Sequence, residues 1–297
     1  MAEVLKGRVF VTGGTGFLAR GIYRRAFKEN WPCEFTCWSR DEEKQYRLRT
    51  RYPEVRCLLG DVRDYDRLYL ALNRQDVVIH TAAIKFIPEA EYNVWETIAV
   101  NVQGSLNVAL ASIRQQVQRV IGVSTDKACL PVNTYGMTKA LMERAWSESN
   151  SHSKTEFSCA RYGNVIGSTG SIVPIFQEQL ARHGKVFVTQ PDMTRFWISI
   201  DEAVDLILKA LVLPGGRIIV PRAAAMKLGD LARLIAGEAI EVVGPRPGEK
   251  EHETLVHYQE SCRTINNGDH FVVQSSVTPS KGESWTYVSH YPARWLP

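Results

Sequence analysis

Short apolar runs separated by longer amphipathic stretches organise the first half of the chain. Residues 9–11 form an apolar run, followed by a glycine-rich turn and a stretch of helical character over 20–29. Further apolar runs lie at 33–38, 55–59, 77–80, 120–123 and 157–161, with helical candidates at 94–114 and 135–149. Short apolar strands alternating with helices predict a parallel sheet covered on both faces. Right-handed crossovers then make a doubly wound α/β sheet the economical topology.

After Asn164 the texture changes. Residues 163–170 are rich in Gly and Ser, a helical stretch follows at 172–183, and beyond Thr254 no clear periodicity remains. This predicts a large domain of residues 1–166, to which 195–221 return, and a smaller C-terminal domain of 167–194 and 222–297. Internal repeats and linker-like tracts are absent from the sequence. The two domains are therefore expected to pack closely around a cleft.

Composition narrows the class. The 297 residues are 44% hydrophobic and 23% charged, as in an ordinary globular protein. A formal charge of +4 is too weak and too dispersed to point to nucleic acid. Every apolar stretch is broken well before about 18 residues, so no membrane span is expected. The first ten residues read as a strand approach rather than a signal peptide, which predicts a cytoplasmic protein. Cys33, Cys37, Cys57, Cys129, Cys159 and Cys262 form no CxxC pair and no zinc-type cluster. Reduced thiols are expected, with neither structural metal nor disulfide.

The strongest local motif is Val11-Thr-Gly-Gly-Thr-Gly-Phe-Leu-Ala19, directly after the first strand. Gly13 permits a tight turn, Gly16 lets the backbone approach a pyrophosphate, and Ala19 allows close helix–strand packing. The phosphates would meet free N–H groups at a helix start. At the end of the second strand, Ser39, Arg40 and Lys44 favour NADP, because guanidinium and ammonium groups suit a ribose 2′-phosphate. Asp41 keeps NAD open. Asp61 and Val62, after the third strand, are placed for an adenine ring.

A second constellation joins Ser124-Thr-Asp-Lys127 to Tyr135-Gly-Met-Thr-Lys139. Tyr-x-x-x-Lys puts a phenol and an ammonium one helical turn apart. The Lys139 ammonium is expected to lower the Tyr135 proton affinity and to hold the nicotinamide ribose, so that the phenol exchanges a proton during hydride transfer. His80, at a strand end, reads as structural.

Together these motifs resemble the extended short-chain dehydrogenases/reductases, which implies a Rossmann fold with a smaller substrate domain. Ser124-Thr-Asp-Lys-Ala, Arg161-Tyr-Gly-Asn-Val-Ile-Gly-Ser, Met193-Thr-Arg-Phe-Trp-Ile, Arg246-Pro-Gly-Glu-Lys and a closing Tyr287-Val-Ser resemble the nucleotide-sugar 4,6-dehydratases. Within them the chain is most similar to the inverting UDP-N-acetylglucosamine 4,6-dehydratase branch of pseudaminic acid biosynthesis. The resemblance runs from about Val9 to Trp295. It departs from the family at Phe17 and Ala19, where Ser and Gly are common, and its C-terminal region is shorter.

The resemblance implies Tyr135 as the group that deprotonates the C-4 hydroxyl of a UDP-sugar. It also implies Lys127 as the base at C-5 and Asp126 as the acid at C-6. Lys139 and the cationic nicotinamide are expected to depress the Lys127 pKa, and burial to keep Asp126 protonated. Thr15, Phe17, Leu18, Thr81, Ala82, Lys85 and Val165 would complete the NADP site. Lys85, Thr125, Asn164, Val173 and Thr194 would lie near the sugar, with Arg246 on the diphosphate and Glu249 on the ribose. Arg195 fits either the substrate or a domain interface. A homo-oligomer is implied. A UDP-sugar 4-epimerase, a retaining dehydratase and a non-catalytic NADP-binding regulator stay open beside this reading. Having both Asp126-Lys127 and Tyr135 points to the inverting branch.

Overall fold

The structure, a computed structural model, describes residues 5–168, 170–274 and 284–296. The chain begins with β1 (Gly7–Thr12), α1 (Phe17–Lys28), β2 (Cys33–Ser39), α2 (Glu42–Arg51), β3 (Arg56–Leu59), α3 (Tyr65–Ala71) and β4 (Val77–His80). It continues through α4 (Ile87–Tyr92), α5 (Val94–Ile98), a π-helical turn (Ala99–Gln103), α6 (Gly104–Arg114), β5 (Arg119–Thr125), α7 (Thr134–Ser151) and β6 (Glu156–Tyr162). Each apolar run of the first half is a strand. Helix α2 escapes a reading by periodicity because it buries only Gln45 and Leu48, and so has no apolar stripe.

The second half comprises β7 (Asn164–Val165), α8 (Ile172–His183), β8 (Val186–Val188), β9 (Thr194–Ile198), α9 (Ile200–Val212), β10 (Arg217–Pro221), β11 (Ala224–Lys227) and α10 (Leu228–Ala236). It ends with β12 (Ile240–Val242), β13 (Thr254–Val256), α11 (Tyr258–Ser261), β14 (Thr264–Asn266), β15 (His270–Gln274), β16 (Tyr287–Val288) and β17 (Arg294–Trp295).

Nine strands form the main sheet in the order β3-β2-β1-β4-β5-β6-β10-β15-β14. From β3 to β10 the pairs are parallel; β15 and β14 close the edge antiparallel. This is the doubly wound α/β sheet expected from the pattern. Strand alternation builds its two cores. Val9 and Val11 pack with Ile22, Tyr23, Val204 and Ile207 of α1 and α9. Phe10, between them, packs on the other face with Leu68, Val108, Met142 and Trp146 of α3, α6 and α7. A third, separate cluster joins Phe176, Val186, Val188 and Leu228 of α8, β8 and α10.

Two stretches sit otherwise than the change of texture predicts. Within residues 195–221, β10 joins the main sheet, whereas β9 pairs with β7 and β11 in a separate four-stranded sheet. From the aperiodic tail, β15 covers the edge that β10 would otherwise expose, burying Phe271, Val272 and Val273. Strands of two to five residues carry too little pattern to be read locally.

The order of β1 and β4 reverses the direction of winding between them. Ligands of doubly wound sheets sit in the crevice at such a switch point, beyond the carboxyl ends of the strands. The glycine turn and residues 81–85 flank that crevice here.

Candidate active site

Gly13 turns the chain with φ +63°, and a Cβ there would lie 2.8 Å from both the Ala82 nitrogen and the Thr81 Oγ1. Only glycine lets β1 end this close to the segment after β4. The Gly16 N–H donates to the Gly13 carbonyl at 2.8 Å, closing the turn. Helix α1 starts after Gly16 with no side-chain cap and no acidic residue in its first turn. Its leading N–H groups and dipole are thus left to an anion, and a dinucleotide pyrophosphate would fit that cradle.

Gly13, Thr15, Gly16, Phe17 and Leu18 line one wall of a cavity of about 1670 Å³. A pocket for one small ligand usually measures about 300–1,000 Å³. The volume suits two ligands end to end.

Ser39, Arg40, Asp41 and Lys44 line the cavity beyond β2, joined by Arg47 and Arg51, which sequence reasoning missed. Arg40 Nη1 lies 3.6 Å from Asp61 Oδ2, and Lys44 Nζ lies 2.7 Å from Asp41 Oδ2. The two cations are 55% and 65% exposed, so these pairs are weak and exchangeable for a phosphate. The Ser39 hydroxyl accepts from Gln45 Nε2 at 3.1 Å. Asp61 and Val62 also line this end. Burial acts against the Asp61 carboxylate, but donation from Arg63 outweighs it and keeps the carboxyl below its usual range.

Thr81, Ala82 and Lys85 continue the wall. Sequence reasoning treated 94–114 as one helix and missed Asn101. The π-helical turn at Ala99–Gln103 interrupts that helix, as such turns often do near functional sites. Asn101 Oδ1 accepts from the Ile84 N–H at 2.8 Å, and its Nδ2 donates to the Ile84 carbonyl at 2.9 Å and to Thr138 Oγ1 at 3.1 Å. It therefore ties the 81–85 segment to α7. His80 is structural, as expected: its nitrogens lie 2.7 Å from Thr12 Oγ1 and 3.0 Å from Ser105 Oγ. Burial holds its pKa well below the usual value.

The chemistry-bearing groups follow β5. Thr125 caps the turn by accepting from the Lys127 N–H at 3.3 Å and donates to Asp126 Oδ1 at 2.9 Å. Tyr135 enters from α7, whose start is fixed by Asn133. The Asn133 Oδ1 accepts from the Gly136 N–H, and its Nδ2 donates to the Gly248 carbonyl, both at 2.8 Å. That capping residue links the Tyr135 helix to the 246–250 segment. Thr125, Lys127, Tyr135 and Lys139 all line the cavity.

The electrostatics correct two expectations. Lys139 does not lower the Tyr135 proton affinity: its Nζ donates instead to the Val123 carbonyl at 2.8 Å. Burial pushes the Tyr135 phenol up to about 12, against the opposing pull of Lys127 and a hydrogen bond with Thr125. Burial brings Lys139 itself down to about 8. Nor is the Lys127 pKa depressed. Burial acts in that direction, but Asp126 at 3.0 Å and Glu253 at 3.2 Å outweigh it and raise the pKa. Asp126 behaves as expected, raised by burial and by Glu253 against the pull of Lys127.

On the opposite wall lie Val165, Asn164, Arg195, Arg246 and Glu249. Arg195 Nη1 donates to the Thr194 and Glu251 carbonyls at 2.8 and 3.0 Å, and its Nη2 lies 3.3 Å from Glu249 Oε1. It therefore both faces the cavity and ties β9 to the 249–251 segment. Two expected substrate contacts are elsewhere. Thr194 is buried, with its Oγ1 2.8 Å from His252 Nδ1 and 2.6 Å from Ser289 Oγ, so it ties β9 to the C-terminal segment. Val173 is not on the cavity; Ile172 and Ile175 of the same helix are. Glu253 lines the cavity and was missed, because the Arg246-Pro-Gly-Glu-Lys motif was read no further than Lys250.

Behind the site, Arg161 is buried between two carboxylates. It donates to Glu143 at 2.6 Å and to Glu260 at 2.7 Å. The Ser124 hydroxyl also donates to Glu143, at 2.5 Å. This network fixes α7 and the C-terminal segment to β6.

Residues 9–275 match the family described as polysaccharide biosynthesis protein. The chain is 38% identical to the inverting UDP-N-acetylglucosamine 4,6-dehydratase of Campylobacter jejuni over 281 residues, covering 92% of this chain and 84% of that one. It is 35% identical to a UDP-glucose 4-epimerase of Rickettsia massiliae, covering 95% and 86%. The X-ray structure of Pen from Bacillus thuringiensis superposes with a TM-score of 0.90 at 31% identity, covering 97% and 93%. More distant solved structures of the same fold include nucleotide-sugar enzymes with NAD bound. No helix among the described residues is long and apolar enough to cross a membrane.

Proposed function

The chain belongs to the polysaccharide biosynthesis protein family, and we propose that it is a UDP-N-acetylglucosamine 4,6-dehydratase that inverts C-5 and uses NADP. The observation that carries this reading is that Lys127 and Tyr135 both line the cavity while Asp126, fully buried just behind them, lies 3.0 Å from Lys127 Nζ. A 4-epimerase needs a proton acceptor at C-4 but no acid–base pair for C-5 and C-6.

NADP, when bound, supplies a hydride acceptor for C-4 and a hydride donor for C-6. The N–H groups after Gly16 would hold its pyrophosphate, Arg40 and Lys44 would exchange Asp61 and Asp41 for its 2′-phosphate, and Lys139 would hold the nicotinamide ribose. Arg246 and Arg195 attract the UDP diphosphate, and Glu249 accepts from the ribose hydroxyls. Asn164 and Lys85 hold the sugar.

Tyr135 takes the proton of the C-4 hydroxyl. A C-4 ketone makes the C-5 proton acidic, and Lys127 removes it. Asp126, kept neutral by burial and by Glu253, gives a proton to the departing C-6 hydroxyl. Protonation of C-5 from the opposite face inverts that centre. The Tyr135 phenol, raised to about 12 by burial, needs a cation to deprotonate, and Lys127 is the one that already pulls on it.

Incubating the protein with UDP-N-acetylglucosamine and NADP tests the reading. Loss of one water by mass, with an inverted C-5 by NMR, is the expected result. Formation of UDP-N-acetylgalactosamine alone would assign a 4-epimerase activity, the reaction type, though not the sugar, named for the Rickettsia relative. A retained C-5 would assign the other dehydratase stereochemistry. Lys127→Ala should abolish water loss, and full turnover by that variant would remove Lys127 from the role of base.

A further inference from the structure

Two buried carboxylates face a single ammonium in the site. Asp126 and Glu253 are 0% and 2% exposed, and both reach Lys127 Nζ, at 3.0 and 3.2 Å. One oxygen of each, Asp126 Oδ2 and Glu253 Oε2, has no hydrogen-bond partner among the described residues. The other charged or titratable groups facing the cluster are few. Lys250, on the same segment, lies 3.7 Å from Glu253 Oε2. Arg195 approaches from β9 with Glu249 on it, and Tyr135 from α7.

Asp126, Lys127 and Glu253, taken with their ordinary charges, carry a net negative charge, which Arg195 and Lys250 partly offset. Burial acts against the Glu253 carboxylate, but Lys127, Arg195 and Lys250 outweigh it and hold its pKa below the usual range. Burial and Glu253 raise the Asp126 pKa instead, so a further proton belongs on Asp126 and Glu253 stays the anion that faces Lys127.

We propose that Glu253 is the positioning residue of the Asp126–Lys127 pair: as the anion 3.2 Å from Lys127 Nζ it holds that ammonium against Asp126 and keeps the acid's proton in place until C-6 takes it. This rests on the dehydratase reading. With Asp126 protonated the three-residue group is neutral, so the buried carboxylate of Glu253 is matched by one ammonium.

Removing the Glu253 charge lowers the proton affinity of both neighbours, since an anion favours the protonated state of each. Glu253→Gln should therefore move both limbs of the kcat–pH profile to lower pH, by about 1–3 pH units, besides reducing kcat. Glu253→Asp keeps the charge and should keep the limbs in place. A merely structural Glu253 would scale the profile without moving it, and superimposable limbs in Glu253→Gln would overturn the proposal.

NMR titration of 13Cε-labelled lysine in the cofactor-free protein gives a readout independent of turnover. The Lys127 resonance should titrate at lower pH in Glu253→Gln and unchanged in Glu253→Asp. An unmoved Lys127 titration would overturn the role of Glu253 whatever the reaction. If the wild-type protein releases no water from UDP-N-acetylglucosamine while the titration moves, the dehydratase reading fails and the Glu253–Lys127 linkage stands.

Discussion

The ammonium of Lys139 is bound to the carbonyl of Val123, 2.8 Å away across the end of β5. One turn of α7 separates it from Tyr135, yet the two side chains serve different ends. Lys139 anchors the helix to the sheet, and in the proposed reading its remaining donors would hold the nicotinamide ribose.

Burial lowers the Lys139 pKa to about 8 from 10.5. Between these values the unfolded chain binds the proton that the folded one has released, so stability rises with pH there. Lys139→Met should abolish that rise, which thermal unfolding of both proteins from pH 7 to 10.5 would reveal. The same variant should lower kcat about 100-fold or more, by analogy with other losses at proton-transfer sites.

Arg161 and Glu260 give the opposite dependence. Burial would push the Glu260 carboxyl up, but Arg161 outweighs it and brings the pKa to about 2 from 4.5. The stability this contributes is complete above about 4.5 and is lost as pH falls through about 2. Glu260→Gln should flatten that acid limb of urea-measured stability. At neutral pH it should cost about 3–5 kcal/mol, the usual effect of breaking a buried pair.

Cofactor choice is testable at Arg40. Arg40→Ala should weaken NADPH binding about tenfold, as expected for one charge-assisted contact to a phosphate. NADH binding should be little changed. Fluorescence titrations with both nucleotides check this, and equal losses for the two would remove Arg40 from the 2′-phosphate site.

Gly13→Ala places a Cβ 2.8 Å from the Ala82 nitrogen and forces a left-handed φ on alanine. The variant should lose about 1–3 kcal/mol of stability. Its dinucleotide affinity should fall further than that of a Gly184→Ala control, whose Cβ meets nothing within 4 Å at a similar φ. Chemical denaturation and nucleotide titration separate the two effects.

The parallel strands, the glycine cradle and the pairing of Asp126-Lys127 with Tyr135 are legible in the sequence because each is local. An apolar run of four to seven residues declares a buried strand. A glycine between strand and helix declares a turn that no other residue makes. Adjacent residues stay adjacent in any fold.

Proton affinities were not legible, because they depend on partners from distant segments. Glu253 lies 126 positions after Lys127 in the chain, yet sits 3.2 Å from it and, together with Asp126, reverses the expected direction of its pKa. Arg161 is likewise held by Glu143 and Glu260, from α7 and α11. The sequence by itself determined which elements form and which reactive groups the cleft receives. Only the tertiary structure decided which charges meet, because Coulomb interactions in a buried site follow distance in space rather than order along the chain.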